Sequence, residues 1–454
     1  MAALKVLICG GGIAGPALAF WLSKLGHDVT ILERFSCLRA SGQQIDLRGH
    51  GIQTMKRMGL EQAYRSKIVN ETGLQFVDSS GRRKAFFPAN KTGQGLQGFT
   101  TNYEIMRGDL CRLLYDATKD SVKYIFGISV VSFQQDDKSV EVTFTDGSRH
   151  RFDLLVGADG QGSRIRKMIL PPDSPDPFHS LHMYMAYFTL PRQEGDEYIA
   201  TGYLATNKRL LFTRRHDPKS IQAYMGYSDE SDQLRNVMKS DVGEQKKIWA
   251  ELFQDAGWQA KRFITAMQDD SQSNDFFTHE VGQVRIDNWY RGRVVLLGDA
   301  AYCPSPATGM GTSSSLVGAY VLAGEIAKHL NRSNGVDGGN TDGAGDPTLS
   351  ALEAYQRQLK PFISQVQKLA SGLWVPSSPW GIAVFNFLLG LAAYLRIDAL
   401  SRWVLREDVR GWDLPNMRSW PNCACGGIVL LRTGLLREWF PGRRGLVEAG
   451  FDFE

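Results

Sequence analysis

The segment from Leu4 to Glu33 limits the possible folds of this chain more than any other part of the sequence. Its first apolar run, Leu4 to Cys9, is typical of a buried parallel strand. The run leads directly into the turn GGGIAG at residues 10–15, and Pro16 to Leu25 then carries apolar residues at helical spacing. A second apolar run, Asp28 to Glu33, completes a β-α-β unit. The sequence therefore predicts a parallel sheet at the start of the chain.

The glycine turn has the pattern G-x-G-x-x-G, in which each glycine has a separate role. Gly10 permits the tight turn, Gly12 lets the backbone approach a pyrophosphate, and Gly15 lets helix and strand pack closely. The helix N-terminus that follows favours an anion. Glu33 can accept hydrogen bonds from both hydroxyls of an adenosine ribose. The pattern predicts a dinucleotide and leaves FAD and NAD open, and the alternative is a glycine turn with an unrelated surface Glu33.

Two further apolar runs end in acidic turns. Residues 153–160, DLLVGADG, place Asp159 and Gly160 after a buried strand, where the carboxylate can hold a ribose hydroxyl or a backbone N–H. A simple strand-end turn is the alternative. Residues 292–299, GRVVLLGD, place Asp299 in the same way, where it could bind a ribityl hydroxyl. Gly309 and Gly311 then open a helix whose N–H groups could face an anionic or electron-rich ring edge.

The three motifs, in this order and at this spacing, resemble those of the class A flavoprotein monooxygenases, which have the para-hydroxybenzoate hydroxylase fold. The resemblance extends from Leu4 to about Gln367. The segments QQIDLR at 43–48 and MRGDL at 106–110 resemble a subgroup that contains tetracycline-inactivating enzymes and fungal enzymes of secondary metabolism. Two residues depart from the family pattern, since Tyr302 stands where His is frequent and Ser313 where Asn is frequent.

The resemblance implies which residues bind the cofactor. The expected FAD-binding residues are Gly10, Gly12, Ala14, Gly15, Glu33, Arg34, Gln44, Asp46, Arg107, Asp159, Gly160, Asp299, Pro306, Gly309 and Gly311. The last three of these would line the isoalloxazine, and no other catalytic group is assigned.

The resemblance also implies an α/β fold in which a Rossmann-like FAD-binding domain interlocks with a mainly antiparallel β-sheet substrate domain, followed by C-terminal helices. We expect residues 1–75, 101–177 and 281–370 to form the FAD-binding domain. Residues 76–100 and 178–280 are expected to form the substrate domain, and 371–454 a helical segment. The length of 454 residues also exceeds what one core usually supports.

The residue pattern also predicts individual elements. Arg151 to Val156 is predicted as one strand and Glu244 to Met267 as helical.

The activity implied is hydroxylation of a small apolar or aromatic molecule in secondary metabolism. A flavin C4a-hydroperoxide would transfer the oxygen, with NADPH or NADH and O₂ as co-substrates. A flavin-dependent epoxidase or a Baeyer–Villiger-type oxygenase on the same fold is the alternative, and a non-catalytic flavin-binding protein is less favoured.

Alternating residues from about Phe178 to Tyr227 predict strands that would cover the flavin face. Their candidate substrate contacts are Tyr187, Phe212, Arg214 and Tyr224, although strands favour aromatic residues in any case. His182 and His216 could help to orient a phenol, but a surface or structural role is more common for such residues.

Composition excludes several other classes. The chain has 52 Lys and Arg against 48 Asp and Glu without a basic run, which argues against nucleic-acid binding. No metal site is expected, because the pair Cys423 and Cys425 lacks further ligands. The N-terminus does not resemble a signal peptide, so we expect a cytoplasmic protein. We also expect it to be a monomer or a homodimer.

Two segments near the C-terminal end have unusual composition. Residues 379–395 form the most apolar stretch, which is expected to pack on the protein or lie at an interface, with membrane contact less favoured. Residues 333–348, rich in Gly, Asp and Asn, are predicted to form a flexible surface loop.

Overall fold

The computed structural model describes residues 3–90, 101–230, 232–334, 346–368, 376–395, 409 and 411–416. The strands are β1 (Lys5–Cys9), β2 (Asp28–Glu33), β3 (Gln44–Asp46), β4 (Gly73–Val77), β5 (Arg83–Pro88), β6 (Glu104–Met106), β7 (Lys123–Phe126), β8 (Val130–Gln135), β9 (Val140–Phe144), β10 (Arg149–Phe152), β11 (Leu154–Gly157), β12 (Phe178–Pro191), β13 (Ala200–Ala205), β14 (Arg209–Arg214), β15 (Ser220–Ser228), β16 (Phe277–Val284), β17 (Tyr290–Arg291) and β18 (Val294–Leu296). The helices are α1 (Ala14–Lys24), α2 (His50–Arg57), α3 (Glu61–Arg65), α4 (Arg107–Asp116), α5 (Arg164–Ile169), α6 (Asp232–Val237), α7 (Val242–Phe253), α8 (Ala260–Gln268), α9 (Asp299–Tyr302), α10 (Gly311–Asn334), α11 (Pro347–Lys368) and α12 (Pro379–Tyr394), with a 3₁₀ turn at Pro306–Thr308.

A six-stranded sheet in the order β17-β18-β11-β1-β2-β7 forms the centre of the first part of the molecule. All neighbouring strands in it are parallel except the pair β17 and β18. Its strands are almost wholly apolar because helices cover them, and α1, α10 and α11 bury their apolar residues in the same core. The carboxyl ends of β1, β11 and β18 lie side by side, so their acidic and glycine-rich turns meet at one edge.

A seven-stranded sheet in the order β16-β12-β15-β14-β13-β4-β5 forms the second part. Its strands are antiparallel except for the parallel pair β4 and β13. Side chains alternate along β12. Tyr184, Ala186 and Phe188 pack in the same core as α7 and α8, whereas Met183, Met185 and Tyr187 belong to a separate cluster with Tyr224. The mixed α/β fold that we predicted is confirmed.

Some predicted boundaries differ from the structure. Strand β4 begins at Gly73 and β16 ends at Val284, so the seven-stranded sheet extends beyond the segments 76–100 and 178–280. The predicted strand Arg151–Val156 is two strands, β10 and β11, in different sheets. The predicted helix Glu244–Met267 is α7 and α8, separated at Gly257 and Trp258, which both have positive φ.

The apolar stretch 379–395 forms α12, which packs on β5 with Leu389 buried. The side chains of Trp380, Phe387 and Tyr394 are exposed. Among the residues that the structure describes, no helix is both long and apolar enough to cross a membrane. Several predictions fall partly or wholly outside the described residues, namely the loop at 333–348, the end of the segment 76–100, the cysteine pair Cys423 and Cys425, and most of 371–454.

Candidate active site

A cavity of about 680 Å³ lies between the two large sheets. Apart from Gly15, all of the predicted cofactor-binding residues line it, and so do three of the four predicted substrate contacts, Tyr187, Arg214 and Tyr224. Phe212 does not line the cavity, since it packs behind Tyr224 with the ring centroids 5.6 Å apart. Residues from distant parts of the sequence therefore converge on one space.

The glycine turn at the end of β1 forms a close-packed cradle. Gly10 has φ of +121°, and a Cβ there would lie 2.2 Å from the carbonyl oxygen of Ala158. A Cβ on Gly15 would lie 2.1 Å from the carbonyl oxygen of Gly10, so helix α1 can approach the strand as the pattern predicts. No side chain caps α1 and its first turn carries no acidic residue. The helix N-terminus is thus suited to an anionic diphosphate.

The carboxylate of Glu33 connects the glycine turn to the end of β2. Its Oε2 accepts a hydrogen bond from the Gly11 N–H at 2.8 Å, and its Oε1 accepts one from the Phe35 N–H at 3.1 Å. Each carboxylate oxygen can accept more than one hydrogen bond. Glu33 therefore keeps acceptor capacity for ribose hydroxyls while it holds the turn.

Arg107, the first residue of α4, lies beside the same turn. Its Nη1 donates to the Ser41 carbonyl at 3.0 Å, and its Nη2 is 3.4 Å from the position of a Cβ on Gly12. A Cβ on Gly108 would lie 2.0 Å from the Ala40 carbonyl oxygen, so this glycine lets the loop before β3 pack on α4. The guanidinium is held where it can neutralise a diphosphate.

Asp159, in the turn after β11, bonds mainly to the chain that follows it. Its Oδ1 accepts from the Ser163 hydroxyl at 2.5 Å and its Oδ2 from the Arg164 N–H at 2.7 Å, while Gly160 has φ of +82°. These contacts fit the alternative of a strand-end turn. Arg166, which we did not predict, donates to the carbonyl oxygens of Gln161 and Ala300 and so joins this turn to the next.

Asp299 follows β18 and Gly298, whose φ is +65°. Its carboxylate lines the cavity, and burial raises its pKa. The Cys303 thiol, a weak donor, bonds to this carboxylate, and ribityl hydroxyls would supply further hydrogen bonds to it. Tyr302, one of the two residues that depart from the family pattern, points away from this site. Its hydroxyl lies 3.1 Å from that of Tyr355 in the core.

An ion pair between Arg48 and Asp46 packs against the turn from Pro306 to Gly311. Arg48 Nε lies 2.5 Å from Asp46 Oδ2 with Arg48 only 2% exposed, and a Cβ on Gly309 would lie 3.1 Å from that nitrogen. The backbone N–H of Arg48 donates a hydrogen bond to the Ser313 hydroxyl at 2.9 Å. Ser313, the second residue that departs from the family pattern, therefore has a structural partner. Arg48 was missed as a site residue although it is the last residue of the segment QQIDLR, which also contains Asp46.

An aromatic group from the seven-stranded sheet lines the same cavity as the turns after β1, β11 and β18. Tyr187 and Tyr224 meet edge to face with ring centroids 5.1 Å apart, and His279 stacks on Tyr187 at 5.4 Å. Burial lowers the pKa of His279 to about 4, so its ring is neutral at neutral pH. His279 was not predicted, whereas His182 and His216, which were considered, do not line the cavity.

Behind Arg214 lies a pair of carboxylates that the sequence analysis also missed. Glu71 and Glu104 are 3% and 1% exposed, and both accept hydrogen bonds from the Arg214 guanidinium. The Gln44 amide donates to Glu104 as well. In the part of the chain that the structure describes, no cluster of three or more His, Cys, Asp or Glu side chains could hold a metal ion.

Comparison with known proteins identifies the family. A family model described as an FAD binding domain matches residues 3–340. The FAD-dependent monooxygenase asL4 of Sarocladium schorii is 46% identical over 431 residues, which cover 92% of this chain and 98% of that protein. The chain belongs to the class A flavin-dependent monooxygenases. The flavin-dependent monooxygenase eupH of a Phoma species is 39% identical to this monooxygenase over 411 residues, covering 87% of this chain and 93% of eupH.

A solved structure agrees with this assignment. The tetracycline destructase Tet(55) superposes on the monooxygenase with a TM-score of 0.72 at 27% identity, covering 91% of this chain and 99% of that one. The family, the fold class and the FAD cofactor that the family resemblance implied are therefore confirmed.

Proposed function

We propose that this monooxygenase uses NAD(P)H and O₂ to hydroxylate a small apolar or aromatic molecule of secondary metabolism. The observation that supports the proposal is that one cavity brings the turns after β1, β11 and β18 together with an aromatic face of the seven-stranded sheet. FAD, when bound, supplies the transfer of electrons to O₂ and of one oxygen atom to the substrate. The similarity to Tet(55), a tetracycline destructase by name, supports a small organic substrate.

The nucleotide end of the cavity would bind the cofactor through charge and backbone hydrogen bonds. The N-terminus of α1 and the Arg107 guanidinium would hold the diphosphate, because both present positive charge at the glycine turn. Glu33 would accept hydrogen bonds from the adenosine ribose, and Asp299 from the ribityl chain. The six-stranded sheet would thus form the FAD-binding part and the seven-stranded sheet the substrate part.

The ring end of the cavity would position the reacting groups and exclude water. The Pro306–Gly311 turn would lie along the edge of the isoalloxazine, supported by the pair of Asp46 and Arg48. Tyr187, Tyr224 and the neutral ring of His279 would cover the opposite side, where they can contact an apolar ring. Exclusion of water is required here, because bulk water releases the activated oxygen as hydrogen peroxide.

A screen of candidate substrates under isotopically labelled O₂ tests this function. We expect substrate-stimulated oxidation of NADPH or NADH and a product that carries one labelled oxygen as a hydroxyl group. A labelled epoxide or ring-expanded ester would instead indicate epoxidase or Baeyer–Villiger chemistry. Turnover without label in the product would contradict an oxygenase.

A further inference from the structure

The charge environment of Arg214 points to the class of substrate. Arg214 ends β14 and lines the cavity beside Tyr224. The seven-stranded sheet contributes four described residues to the cavity wall, Tyr187, Arg214, Tyr224 and His279, and Arg214 is the permanent cation among them. An arginine in this position would ordinarily bind a carboxylate or phosphate of a ligand through two parallel hydrogen bonds.

In this chain, the Arg214 guanidinium already donates hydrogen bonds to two internal carboxylates, those of Glu71 and Glu104. Arg214 Nε and Nη2 donate to the two oxygens of Glu71 at 2.9 and 2.6 Å, which is the bidentate geometry. Nη2 also donates to Glu104 at 2.7 Å. The contacts tie together three separate parts of the chain: β14, β6 and the segment before β4.

Neither carboxylate can be released to solvent, because both side chains are fully buried. Gln44 Nε2 donates to Glu104, and the Thr101 N–H donates to the other Glu104 oxygen at 3.3 Å. Burial raises the pKa of Glu104 to about 8 in spite of Arg214. The triad of Arg214, Glu71 and Glu104 therefore carries a net charge between zero and minus one, whichever protonation state Glu104 takes.

Among the described residues of the seven-stranded sheet that line the cavity, none besides Arg214 carries a positive charge. His279 is neutral, Tyr224 donates its hydroxyl to Gln222 at 3.0 Å, and Arg48 is paired with Asp46. The remaining amide oxygen of Gln44, buried and without a partner among the described residues, can accept a hydrogen bond. This end of the cavity thus offers aromatic faces and an uncharged acceptor, which suit a phenol or enol.

We propose that Glu71 and Glu104 are specificity-determining residues that neutralise Arg214, so that the substrate end selects neutral hydroxylated rings and rejects carboxylates. The inference rests on the proposed function, because it names the substrate class of the same site. An anionic substrate would meet an already neutralised guanidinium and would lose its hydration without gaining a free cation.

Binding of two matched probes to the FAD-loaded enzyme tests the proposal. The probes are para-hydroxybenzoate and its methyl ester, which share the phenol ring and differ in charge, and binding is followed through the flavin absorbance. For the wild-type enzyme we expect the ester to bind roughly tenfold or more tightly than the acid. In the double variant E71Q/E104Q, affinity for the acid should rise by about tenfold or more, with the ester changed by less than about threefold.

Three further variants separate charge from shape. Adding R214Q to the double variant should abolish the gain for the acid, because no cation is left to be unmasked. E71Q alone retains Glu104 on Arg214 and should show a smaller gain, which keeps the test valid if the double variant does not fold. E353Q removes an exposed carboxylate of α11 and should leave the preference unchanged.

Several results would overturn the proposal. They are a wild-type preference for the acid, an unchanged ratio in E71Q and E71Q/E104Q, and failure of both probes to bind any form. Failure of the proposed function is distinguishable, because it would appear as the absence of NAD(P)H-dependent oxygen transfer in the wild-type enzyme whatever the ratio of probe affinities.

Discussion

Single residues at the proposed nucleotide end of the cavity differ in how much of their hydrogen-bonding capacity the fold already uses. Glu33 holds the glycine turn through the Gly11 N–H and lines the space expected for the ribose. Asp159, by contrast, uses both oxygens to fix its own turn. Loss of the Glu33 side chain should therefore weaken FAD binding directly. Loss of the Asp159 side chain should weaken it mainly by changing the backbone of its turn.

The variant E33A should retain FAD less well without unfolding. It removes one charged acceptor from the ribose, worth about 1.5–3 kcal/mol, so we expect the Kd for FAD to rise on the order of tenfold to a hundredfold. Equilibrium titration of the apoprotein with FAD measures this, with circular dichroism to check the fold. The matched control D28A removes an exposed carboxylate at the other end of β2 and should bind FAD normally. Equal affinity in E33A and wild type would refute the assignment.

His27 should make the fold sensitive to acid. Its Nδ1 accepts the Leu4 N–H at 3.1 Å, so this nitrogen carries no proton, and burial lowers its pKa to about 4. Because the folded pKa lies below the unfolded value of about 6.5, the unfolded state binds the proton first. The free energy of unfolding should therefore fall as the pH decreases from about 6.5 to about 4, by at most about 3 kcal/mol from this residue.

Denaturant unfolding at several pH values tests the role of His27. The variant H27Q keeps an acceptor but does not titrate, so it should lose less stability than wild type over this pH range. H150Q, which replaces an exposed histidine of β10, should behave as wild type. If H27Q and wild type lose stability in parallel, the pH dependence comes from other groups.

At the scale of elements, the contact between α9 and α10 depends on a glycine. A Cβ on Gly318 would lie 1.9 Å from the hydroxyl oxygen of Tyr302, which also contacts Tyr355. The residue that departs from the family pattern thus requires the smallest possible neighbour on the facing helix. The sequence does not reveal this pairing, because Tyr302 and Gly318 lie in different elements and Gly318 belongs to no recognisable motif.

The variant G318A should destabilise the fold by about 1–3 kcal/mol through this collision. Y302F alone should cost about 1 kcal/mol, since it loses the hydrogen bond with Tyr355. In the double variant G318A/Y302F, the loss should be smaller than the sum of the two single losses, because the phenylalanine lacks the colliding oxygen. Denaturant unfolding measures all three, with G162A, where a Cβ meets open space, as control. Strict additivity of the two losses would contradict the proposed contact.

Local signals explain which elements could be predicted. The β1-α1-β2 unit follows from its apolar runs and glycines, and the structure places it within a residue or two of the expected bounds. The break between α7 and α8 was missed because both sides have helical spacing and Gly257 is also tolerated within a helix. Similarly, β10 and β11 appear continuous in sequence, and only their different sheet partners separate them.

At the scale of the whole molecule, the cavity depends on pairings between distant segments. The three strand-end turns could be predicted, because each ends a buried strand and parallel strands bring such ends together. The triad of Glu71, Glu104 and Arg214 could not, since none of the three lies in a motif and their approach depends on how the two sheets meet. Arg166 was missed for the same reason, as it joins two turns through long-range hydrogen bonds.

The most direct test of this account is the number of FAD molecules bound per chain. Purified apoprotein is titrated with FAD, and the bound flavin is quantified by absorbance after removal of the excess. If the three turns form one site, the titration should saturate at one FAD per chain. A folded protein that remains colourless, or one that saturates at two flavins, would contradict the convergence of these turns on a single nucleotide.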